Sequence, residues 1–467
     1  MKIAAVTLGC KVNQCDAGET LRLFARRGWE IVPPGPEADA ILVNTCDVTN
    51  ASGKKSRRAI RRAAGLGGAA VVVCGCCTRA APGEAAGFEG ADLVVSSMDS
   101  AEIVARVEEY LKESGRRTFG GPGDDYGGEP AEAGRAPAVS GEPTPKAAPA
   151  VSGELIPKAS PAVSGEPMPK AGRTRYFLKI EDGCDMFCSY CVIPYARGKV
   201  RSRPPEEILS EAKAAVTNSY REIVLTGIHI ASYGKDLYGK NTGLPALMRE
   251  ISGLPGLARV RLGSVEPRAV TADFLEAAAS PVICGHFHLS LQSGCDAVLK
   301  AMNRKYTAEE YASAAKRLRE AKPEAHLTTD VIAGFPGETD GDFDETCRFV
   351  EKIGFLKIHA FPFSAKNGTA AASLPGRVPE NVIAARVKRL IRASEKMSAD
   401  IYRSAVGKTV EVLFEEESGG YVWGHTHNYL RVGVRYIKGS DLINRTLPAR
   451  LLEAGAAGAA GELITRQ

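Results

Sequence analysis

Three cysteines in the middle of the chain have a spacing that suits an inorganic cluster. Cys184, Cys188 and Cys191, the clustered set, form a C-x3-C-x2-C pattern directly after a predicted strand. Three thiolates so close in sequence can bind three corners of a cubane iron–sulfur cluster and leave the fourth iron open to a small molecule. A structural zinc site is the alternative. It normally takes four protein ligands in paired C-x2-C units, and no fourth ligand lies nearby.

A second group of cysteines is spread over the first eighty residues. Cys10, Cys46 and Cys76, the dispersed set, each follow a predicted strand, in AAVTLGC, AILVNTC and VVVCGC. In an open parallel sheet, the carboxyl ends of neighbouring strands meet at one crevice, where ligands bind. A single buried cysteine is commonly a core residue, so the shared placement of the three carries the inference of a metal site.

The third member of the dispersed set is chosen from three neighbouring cysteines. We select Cys76 because it follows a glycine, as Cys10 does. Spacing alone leaves Cys74 and Cys77 open as substitutes.

The segments around the dispersed set alternate between strands and helices. Short apolar strands are predicted at Lys2–Leu8, Ala40–Asn44, Ala70–Val73 and Leu93–Val95. Helices are predicted at Ser52–Ala64 and Ser100–Glu113. A capping-box pattern of Asp16 and Glu19 predicts the start of another helix, which stops at Gly28. The alternation indicates an α/β fold whose first domain, residues 1–116, is an open parallel α/β sheet.

The later parts of the chain predict two further domains. Residues 173–403 carry six strand-like segments with helical stretches between them, which predicts a partial (βα)6 barrel. The six segments are Tyr176–Ile180, Glu222–Thr226, Arg259–Gly263, His286–Gln292, Leu327–Ala333 and Leu356–Phe361. Residues 404–467 alternate in the manner of strands, with Gly-rich turns, and predict a small OB-like β-barrel.

Residues 117–172 differ in composition from the rest of the chain. They contain three copies of a twelve-residue unit: PAVSGEPTPKAA, PAVSGELIPKAS and PAVSGEPMPKAG. The unit is too short and too rich in Pro, Gly and Ala to bury an apolar face by stacking. We therefore predict an extended, disordered linker between the first two domains.

The composition favours a cytoplasmic protein with no membrane segment. The chain of 467 residues is 44% hydrophobic and 25% charged, as soluble proteins are. No apolar run approaches the roughly 20 residues of a membrane span, and the start lacks a secretory signal. In a reducing compartment, 12 cysteines point to metal binding or catalysis rather than disulfides.

A basic helix and several aromatic residues predict an RNA partner. Six cations fall within nine residues of one predicted helix, and such a charge density favours a phosphate backbone over a merely solvated face. They are Lys54, Lys55, Arg57, Arg58, Arg61 and Arg62. In the last domain, aromatic side chains could stack on bases and His and Arg side chains could approach phosphates. These are Tyr421, Trp423, Tyr429, His425, His427, Arg431 and Arg435.

Longer sequence blocks resemble the radical S-adenosylmethionine (SAM) methylthiotransferase family over nearly the whole chain outside the repeats. The blocks are TLGCKVNQ, NTCDVTN, KKSRRAIRRA, LTGIHIASYG, RLGSVEP, HLSLQSGCDAVLKAMNRKYT and DVIAGFPGETD. Among the subgroups of this family, these blocks are most similar to those of the enzymes acting on N6-threonylcarbamoyladenosine at position 37 of tRNA. The last domain resembles TRAM, an RNA-binding β-barrel. The chain departs from the family in its long repeat linker and in the crowding of Cys74 and Cys77.

The resemblance implies two [4Fe-4S] clusters and SAM as cofactors. It implies an auxiliary cluster on the dispersed set, and on the clustered set a second cluster that cleaves SAM to a 5′-deoxyadenosyl radical. It also implies five residues around SAM: Tyr190, Ser264, Glu266, Gln292 and Ser293. Packing could equally explain the tyrosine, and helix capping the others. The turn at Gly334–Glu338 is expected near SAM.

The implied reaction explains why such cofactors are needed. The hydrogen on carbon 2 of adenine is neither acidic nor displaceable, so acid–base catalysis gains little, whereas a carbon radical can abstract it. The auxiliary cluster, or a sulfide on it, would donate sulfur that a second SAM methylates. The expected partners are tRNA and a low-potential electron donor of the flavodoxin or ferredoxin type. No pattern indicates an oligomeric state.

Three other functions fit part of the sequence. The same reaction could act on isopentenyladenosine in tRNA, or on an aspartate of a small-subunit ribosomal protein. A non-catalytic RNA-binding iron–sulfur or zinc protein would explain the basic helix and the last barrel. It would not explain a C-x3-C-x2-C loop on a βα barrel.

Deleting residues 120–172 tests the linker prediction. We expect the shortened protein to cleave SAM as the full chain does, because a tether contributes no side chain to the site. The measurement is 5′-deoxyadenosine released by the reduced protein. Loss of cleavage would show that the segment is part of the folded structure.

Overall fold

The computed structural model describes residues 1–80, 87–115, 174–237, 243–436, 441–455 and 458–464. The predicted repeat linker, residues 117–172, lies outside the described residues. Within these ranges, no helix combines the length and apolar character needed to cross a membrane.

The chain begins with an open, fully parallel sheet of five strands in the order β2-β1-β3-β4-β5. The strands are β1 Lys2–Thr7, β2 Glu30–Ile31, β3 Ala40–Thr45, β4 Ala70–Gly75 and β5 Leu93–Val94. Every residue of β3 and β4 is buried, which explains their nearly continuous apolar sequences. The order reverses between β1 and β3, and ligands bind at the carboxyl ends of strands at such a point. The predicted open sheet is confirmed.

Four helices of the described residues accompany this sheet: α1 Lys11–Arg26, α2 Asn50–Ala64, α3 Cys76–Ala80 and α4 Ser100–Glu113. A reciprocal capping box of Thr49 and Ser52 fixes the start of α2. The predicted start of the first helix at Asp16 is wrong, because α1 begins directly behind Cys10. Asp16 lies inside the helix, where its carboxylate pairs with Lys179 and Arg197 instead of capping backbone N–H groups.

The middle of the chain forms the predicted partial barrel of parallel strands. Its strands are β6 Arg175–Lys179, β9 Glu222–Thr226, β10 Arg259–Leu262, β11 Ser264–Val265, β12 His286–Leu289, β13 His326–Ala333 and β14 Lys357–Pro362. They adjoin in the order β6-β9-β10 and β11-β12-β13-β14, and a bridge between Val260 and Ile283 links the two sheets. A short antiparallel pair lies beside the clustered set: β7 Glu181–Asp182 and β8 Arg201–Ser202.

Helices follow the strands, and apart from the first, which packs against α3 of the first domain, they cover the outside of the barrel. They are α5 Ile193–Arg197, α6 Pro205–Thr217, α7 Leu244–Ser252, α8 Ala272–Ala278, α9 Asp296–Ala301, α10 Ala308–Ala321, α11 Asp340–Ile353 and α12 Glu380–Ala405. Single 3-10 turns occur at Ile230–Ser232, Pro267–Ala269 and Ala370–Ser373. Strand residues alternate between the two faces of the barrel wall. Leu225 and Phe287 point outward and pack in the apolar core beneath the helices, whereas Glu222, Arg261 and Thr328 face the barrel interior.

The last domain is a closed barrel with strand order β15-β16-β17-β19-β18, as predicted. Its strands are β15 Thr409–Ser418, β16 Tyr421–Thr426, β17 Arg431–Arg435, β18 Thr446–Gly455 and β19 Gly458–Leu463. Val412, Phe414, Val422 and Val432 are fully buried and fill its core.

The last barrel packs against the amino-terminal ends of the strands in the larger barrel. Arg259, at the start of β10, donates to the carbonyl of His425 at 2.9 Å. The Tyr429 ring stacks on His286 and His425 with centroids 4.2 and 4.6 Å away. The Arg261 guanidinium lies over the same ring at 4.7 Å. These contacts fix the small barrel on one end of the large one.

This interface accounts for three of the side chains predicted to contact RNA. Tyr429 and His425 lie in the stack just described, and His427 accepts from the backbone N–H of Gly285 at 3.1 Å. Trp423 and Arg431 lie together on the same face of the small barrel as His425, farther along the strands, with the guanidinium 4.1 Å from the ring centroid. Of these five side chains, the last two remain better placed for a base.

Replacing Tyr429 tests the stacked interface. We expect Tyr429→Ala to lower the free energy of unfolding by about 2 kcal/mol, because it removes two ring contacts and a cation–π contact. Tyr436→Ala is the matched control, since that ring is 41% exposed. Urea unfolding measures both, and equal effects would contradict the interface.

Candidate functional site

The clustered set lies on the loop between β7 and α5, at the carboxyl end of β6. All three cysteines are partly buried. The backbone N–H of Ile193 donates to Sγ of Cys191 at 3.4 Å, and Arg304 donates to Sγ of Cys188 at 3.2 Å. Burial raises the pKa of Cys191 to about 12 and that of Cys184 to about 11. These groups are therefore thiols at neutral pH until a metal displaces their protons.

The dispersed set lies where β1, β3 and β4 end, at the reversal point of the first sheet. Two of its cysteines follow glycines with positive φ, Gly9 at +94° and Gly75 at +98°. A Cβ on Gly9 would lie 2.7 Å from Cβ of Cys46, so only glycine allows this approach. Asn13 lies among the cysteines, with its Oδ1 3.6 Å from Sγ of Cys10 and 3.9 Å from Sγ of Cys76.

The structure separates the three neighbouring cysteines after β4. Cys74 points into the apolar core on one face of the sheet, with Ile3 and Leu42. Cys76 points toward Asn13 and the other members of the dispersed set. Cys77 lies beside Thr45 and Ser56, whose hydroxyl groups contact it. This geometry favours Cys76 as the third ligand.

A buried ionic network joins the two cysteine sets. Arg197, on the helix after the clustered set, is fully buried and donates to Oδ1 of Asn13 and Oδ2 of Asp16, both at 2.8 Å. Nη1 of Arg197 donates to Asp182 at 2.9 Å, and Lys179 pairs with the carboxylates of both Asp16 and Asp182. Burial alone would raise the pKa of Asp182, but Lys179 and Arg197 hold it well below its usual range. The network fixes both sets at one crevice.

A second polar group lies beside the clustered set. Glu266, 6% exposed, is 2.6 Å from Nη2 of Arg304 and 3.3 Å from Nε2 of His229. The first contact is an ion pair that is not aligned as a hydrogen bond. Within the described residues, the buried Oε2 of Glu181 has no hydrogen-bond partner. An unpartnered buried oxygen of this kind suits contact with a small polar ligand.

The other residues expected around SAM lie in different environments. Tyr190 packs against a small apolar cluster that includes Phe335, in the predicted turn. Ser264 is exposed at the start of β11, and Gln292 has a positive φ of 71°. The Ser293 hydroxyl group is fully buried, pairs with Thr346 at 3.1 Å and accepts from a backbone N–H. The contacts of Ser293 explain a structural role for this residue. Contact of these four residues with SAM stays a prediction.

The three sulfurs of each cysteine set do not all lie within 4.8 Å of one another. In the described ranges, two groups of three ligand atoms meet that limit, His288–Asp330–His359 and Cys295–Asp342–Glu345, and neither cysteine set is among them. Each set therefore has at least one sulfur pair wider than the roughly 3.8 Å that tetrahedral Zn–S bonds of about 2.3 Å give. A cubane, which takes one thiolate at each corner, accepts a wider spacing of its ligands.

A polar cleft lies beside both cysteine sets. Counting the space open to solvent, its volume is about 770 Å³, and its lining includes Asp47, Lys54, Arg57, Val192 and Lys366. Asp47 directly follows Cys46, and Val192 directly follows Cys191. The first turns of the basic helix α2 therefore border the cleft.

The six cations of the basic helix are all exposed, as predicted. They divide into two adjacent stripes according to the cleft. Lys54 and Arg57 line the cleft and belong to one stripe with Arg61, which pairs with Glu89 at 3.1 Å. Lys55, Arg58 and Arg62 form the other stripe.

Several residues of the site carry no local sequence signal. Asn13, His229 and Arg304 lie within blocks that carry the resemblance, so those blocks could have drawn attention to them. Arg197 and Asp182 lie outside the blocks and outside any metal-ligand spacing. Their roles depend on partners far along the chain: Arg197 and Asn13 are 184 residues apart.

Comparison with known proteins gives matches over most of the chain. Residues 178–350 match the radical SAM superfamily, and residues 2–96 match the uncharacterized protein family UPF0004. The chain is 35% identical over 462 residues to the threonylcarbamoyladenosine tRNA methylthiotransferase MtaB of Bacillus subtilis, covering 97% of this chain and 94% of that protein. It is 30% identical to the tRNA-2-methylthio-N(6)-dimethylallyladenosine synthase of Pelotomaculum thermopropionicum, covering 99% and 97%.

A solved structure shares the fold. It is the radical S-adenosylmethionine methyltransferase TsrM of Kitasatospora setae, with cobalamin and a [4Fe-4S] cluster bound. Its TM-score is 0.53 at 14% identity, covering 90% of this chain and 80% of that chain. The likeness concerns the architecture alone.

Replacing Arg197 tests the network between the cysteine sets. We expect Arg197→Met to lower the free energy of unfolding by about 3–5 kcal/mol, because it leaves buried carboxylates with too few cations. Arg201→Met is the control, since that side chain is 54% exposed and 3.8 Å from Asp182, and should cost less than about 1 kcal/mol. Denaturant unfolding measures both. An Arg197→Met protein as stable as the wild type would contradict the account.

Proposed function

This chain belongs to the radical SAM methylthiotransferases, and we propose that it transfers a methylthio group to carbon 2 of N6-threonylcarbamoyladenosine at position 37 of tRNA. The observation that carries the proposal is the meeting of two three-cysteine sets at one polar crevice. The relatives named for this reaction match the chain almost from end to end. Its cofactors are [4Fe-4S] clusters and SAM.

Each cysteine set has its own role in the proposal. The clustered set holds the cluster that binds SAM, and the dispersed set holds the auxiliary cluster. When bound, these cofactors supply the one-electron chemistry and the sulfur that side chains cannot supply at carbon 2. Support comes from the three-ligand composition of each set and from the wide spacing of the sulfurs.

The protein groups around the clustered set orient the small-molecule cofactor. The carboxyl group of Glu181 has a buried oxygen, Oε2, without a hydrogen-bond partner, which can contact SAM. Arg304, which contacts Cys188 and Glu266, links the cluster loop to this carboxylate. Burial alone would raise the pKa of Glu266, but His229 and Arg304 lower it and keep the carboxylate charged.

The RNA approaches along the basic helix in this proposal. Lys55, Arg58 and Arg62 lie exposed on α2, close to the polar cleft, and can neutralise phosphates. Trp423 on the last barrel offers a further aromatic surface. We also propose a cytoplasmic location, a flavodoxin- or ferredoxin-type electron donor and domains at 1–116, 173–403 and 404–467.

A specific observation keeps one second candidate. Relatives named dimethylallyladenosine synthases match this chain at 30–31% identity over similar lengths. The same site could therefore act on isopentenyladenosine, which shares carbon 2 and differs only in the substituent on N6.

Nucleoside analysis tests the proposed reaction and substrate together. The gene is expressed in a strain lacking its own methylthiotransferases, and bulk tRNA is digested for mass spectrometry. We expect methylthiolated threonylcarbamoyladenosine with the wild type and none with Cys191→Ala, which removes one ligand of the clustered set. A methylthiolated isopentenyl product would overturn the substrate. No new nucleoside from iron-loaded protein would overturn the function.

A further inference from the structure

The polar cleft has an excess of positive charge beside the reaction site. Three cations line it, Lys54, Arg57 and Lys366, against one carboxylate, Asp47. Lys366 is 7% exposed and pairs with Asp47 at 2.7 Å, so that charge is already compensated. Among the described residues, neither Lys54 nor Arg57 has an ion-pair partner. The described part of the cleft therefore has two cations without an ion-pair partner.

The rest of the lining of the cleft is mixed. It includes the polar residues Asn50 and Asn367, and its apolar residues, Ala80, Val192 and Ala365, have small side chains. Cations together with amides suit a ligand that has an anionic group and additional hydrogen-bonding groups. They do not suit a hydrocarbon chain, because burying it there would remove water from charged groups without replacement.

The cleft adjoins both cysteine sets. Asp47 and Val192 border it, and they directly follow Cys46 and Cys191, one cysteine of each set. Carbon 2 of the base must lie between the two sets to react. In adenine, carbon 2 and carbon 6 flank the same ring nitrogen, so a substituent on N6 leaves the base on the edge that carries carbon 2.

We propose that Lys54 and Arg57 bind the carboxylate of the threonylcarbamoyl group and so select this substrate against uncharged N6 substituents. The inference rests on the proposed function and adds the residues that recognise the substituent on N6. Arg can hold a carboxylate through two parallel N–H···O bonds, and Lys adds a point charge. An isopentenyl group would leave both cations unpaired in the cleft.

The proposal separates the two stripes of the basic helix. Lys54 and Arg57 contact the base substituent, whereas Lys55 and Arg58 contact the RNA backbone without regard to the base. Phosphates could also bind in the cleft, and the choice of RNA distinguishes these two anions. A phosphate contact is the same in every RNA of one sequence, but a carboxylate contact disappears when the carboxylate is esterified.

Binding by short anticodon stem-loop RNAs tests the assignment without turnover. Three RNAs of one sequence carry threonylcarbamoyladenosine, its methyl ester or plain adenosine at the target position. Fluorescence anisotropy at fixed salt gives Kd for the iron-loaded full chain without SAM. We expect the wild type to bind the free acid about tenfold more tightly than the ester, the factor that a charge-assisted contact provides.

The variants then assign the preference to residues. In Lys54→Met/Arg57→Gln, the acid and ester should bind within about twofold of each other. In the matched control Lys55→Met/Arg58→Gln, both should weaken together and the tenfold ratio should remain. All four positions are exposed on the helix, and the single Arg57→Gln variant should already reduce the ratio. Iron content equal to the wild type confirms an intact site.

Each other result overturns the assignment. A ratio that survives in Lys54→Met/Arg57→Gln places the carboxylate elsewhere, and an equal loss for all three RNAs makes the cleft a phosphate site. A wild type without any preference also contradicts it. Nucleoside analysis of the same wild type tells the two failures apart: methylthiolated threonylcarbamoyladenosine keeps the proposed function, and its absence removes both.

Discussion

Buried Arg197 is the contact on which the geometry of the whole site depends. Its guanidinium reaches from the helix after the clustered set to Asn13, which lies within hydrogen-bonding distance of two thiols of the dispersed set. Burying such a cation is costly unless carboxylates and hydrogen bonds compensate it, and Asp16 and Asp182 do so. Because those acids come from different domains, a shift of either domain would leave charges unpaired. The network therefore holds the clustered set and the dispersed set, which belong to different domains, at one crevice.

The other domains leave the crevice open on the side of the basic helix. The last barrel packs against the amino-terminal strand ends of the large barrel, opposite the carboxyl ends that carry the cysteines. The loop after β14 reaches the first domain through Lys366, which pairs with Asp47, and through Ser364, which accepts from the N–H of Asn50. These contacts place α2 at the border of the cleft. Helix α2, which the sequence predicts to bind RNA, therefore also borders the candidate reaction site.

The sequence carries the parts of the site that depend on short-range patterns. Cysteines at strand ends, the C-x3-C-x2-C loop and the parallel sheet of the first domain follow from local spacing and alternation. The start of α1 could not be predicted, because Asp16 makes its contacts with Lys179 and Arg197, more than 160 residues away. The place of Tyr429 in a domain interface likewise depends on His286 and cannot be deduced from an aromatic pattern. Long-range charge pairing and domain docking are the information that local patterns lack.

Iron content of two triple variants tests most directly that the cysteine sets hold separate clusters at one site. Each set is replaced by alanine in turn, and iron per chain is measured after anaerobic reconstitution. The account predicts about eight iron atoms in the wild type and about four in each variant, because each [4Fe-4S] cluster depends on its own three thiolates. The double variant Cys74→Ala/Cys77→Ala should keep about eight. A dispersed-set variant that keeps all of its iron would contradict the account.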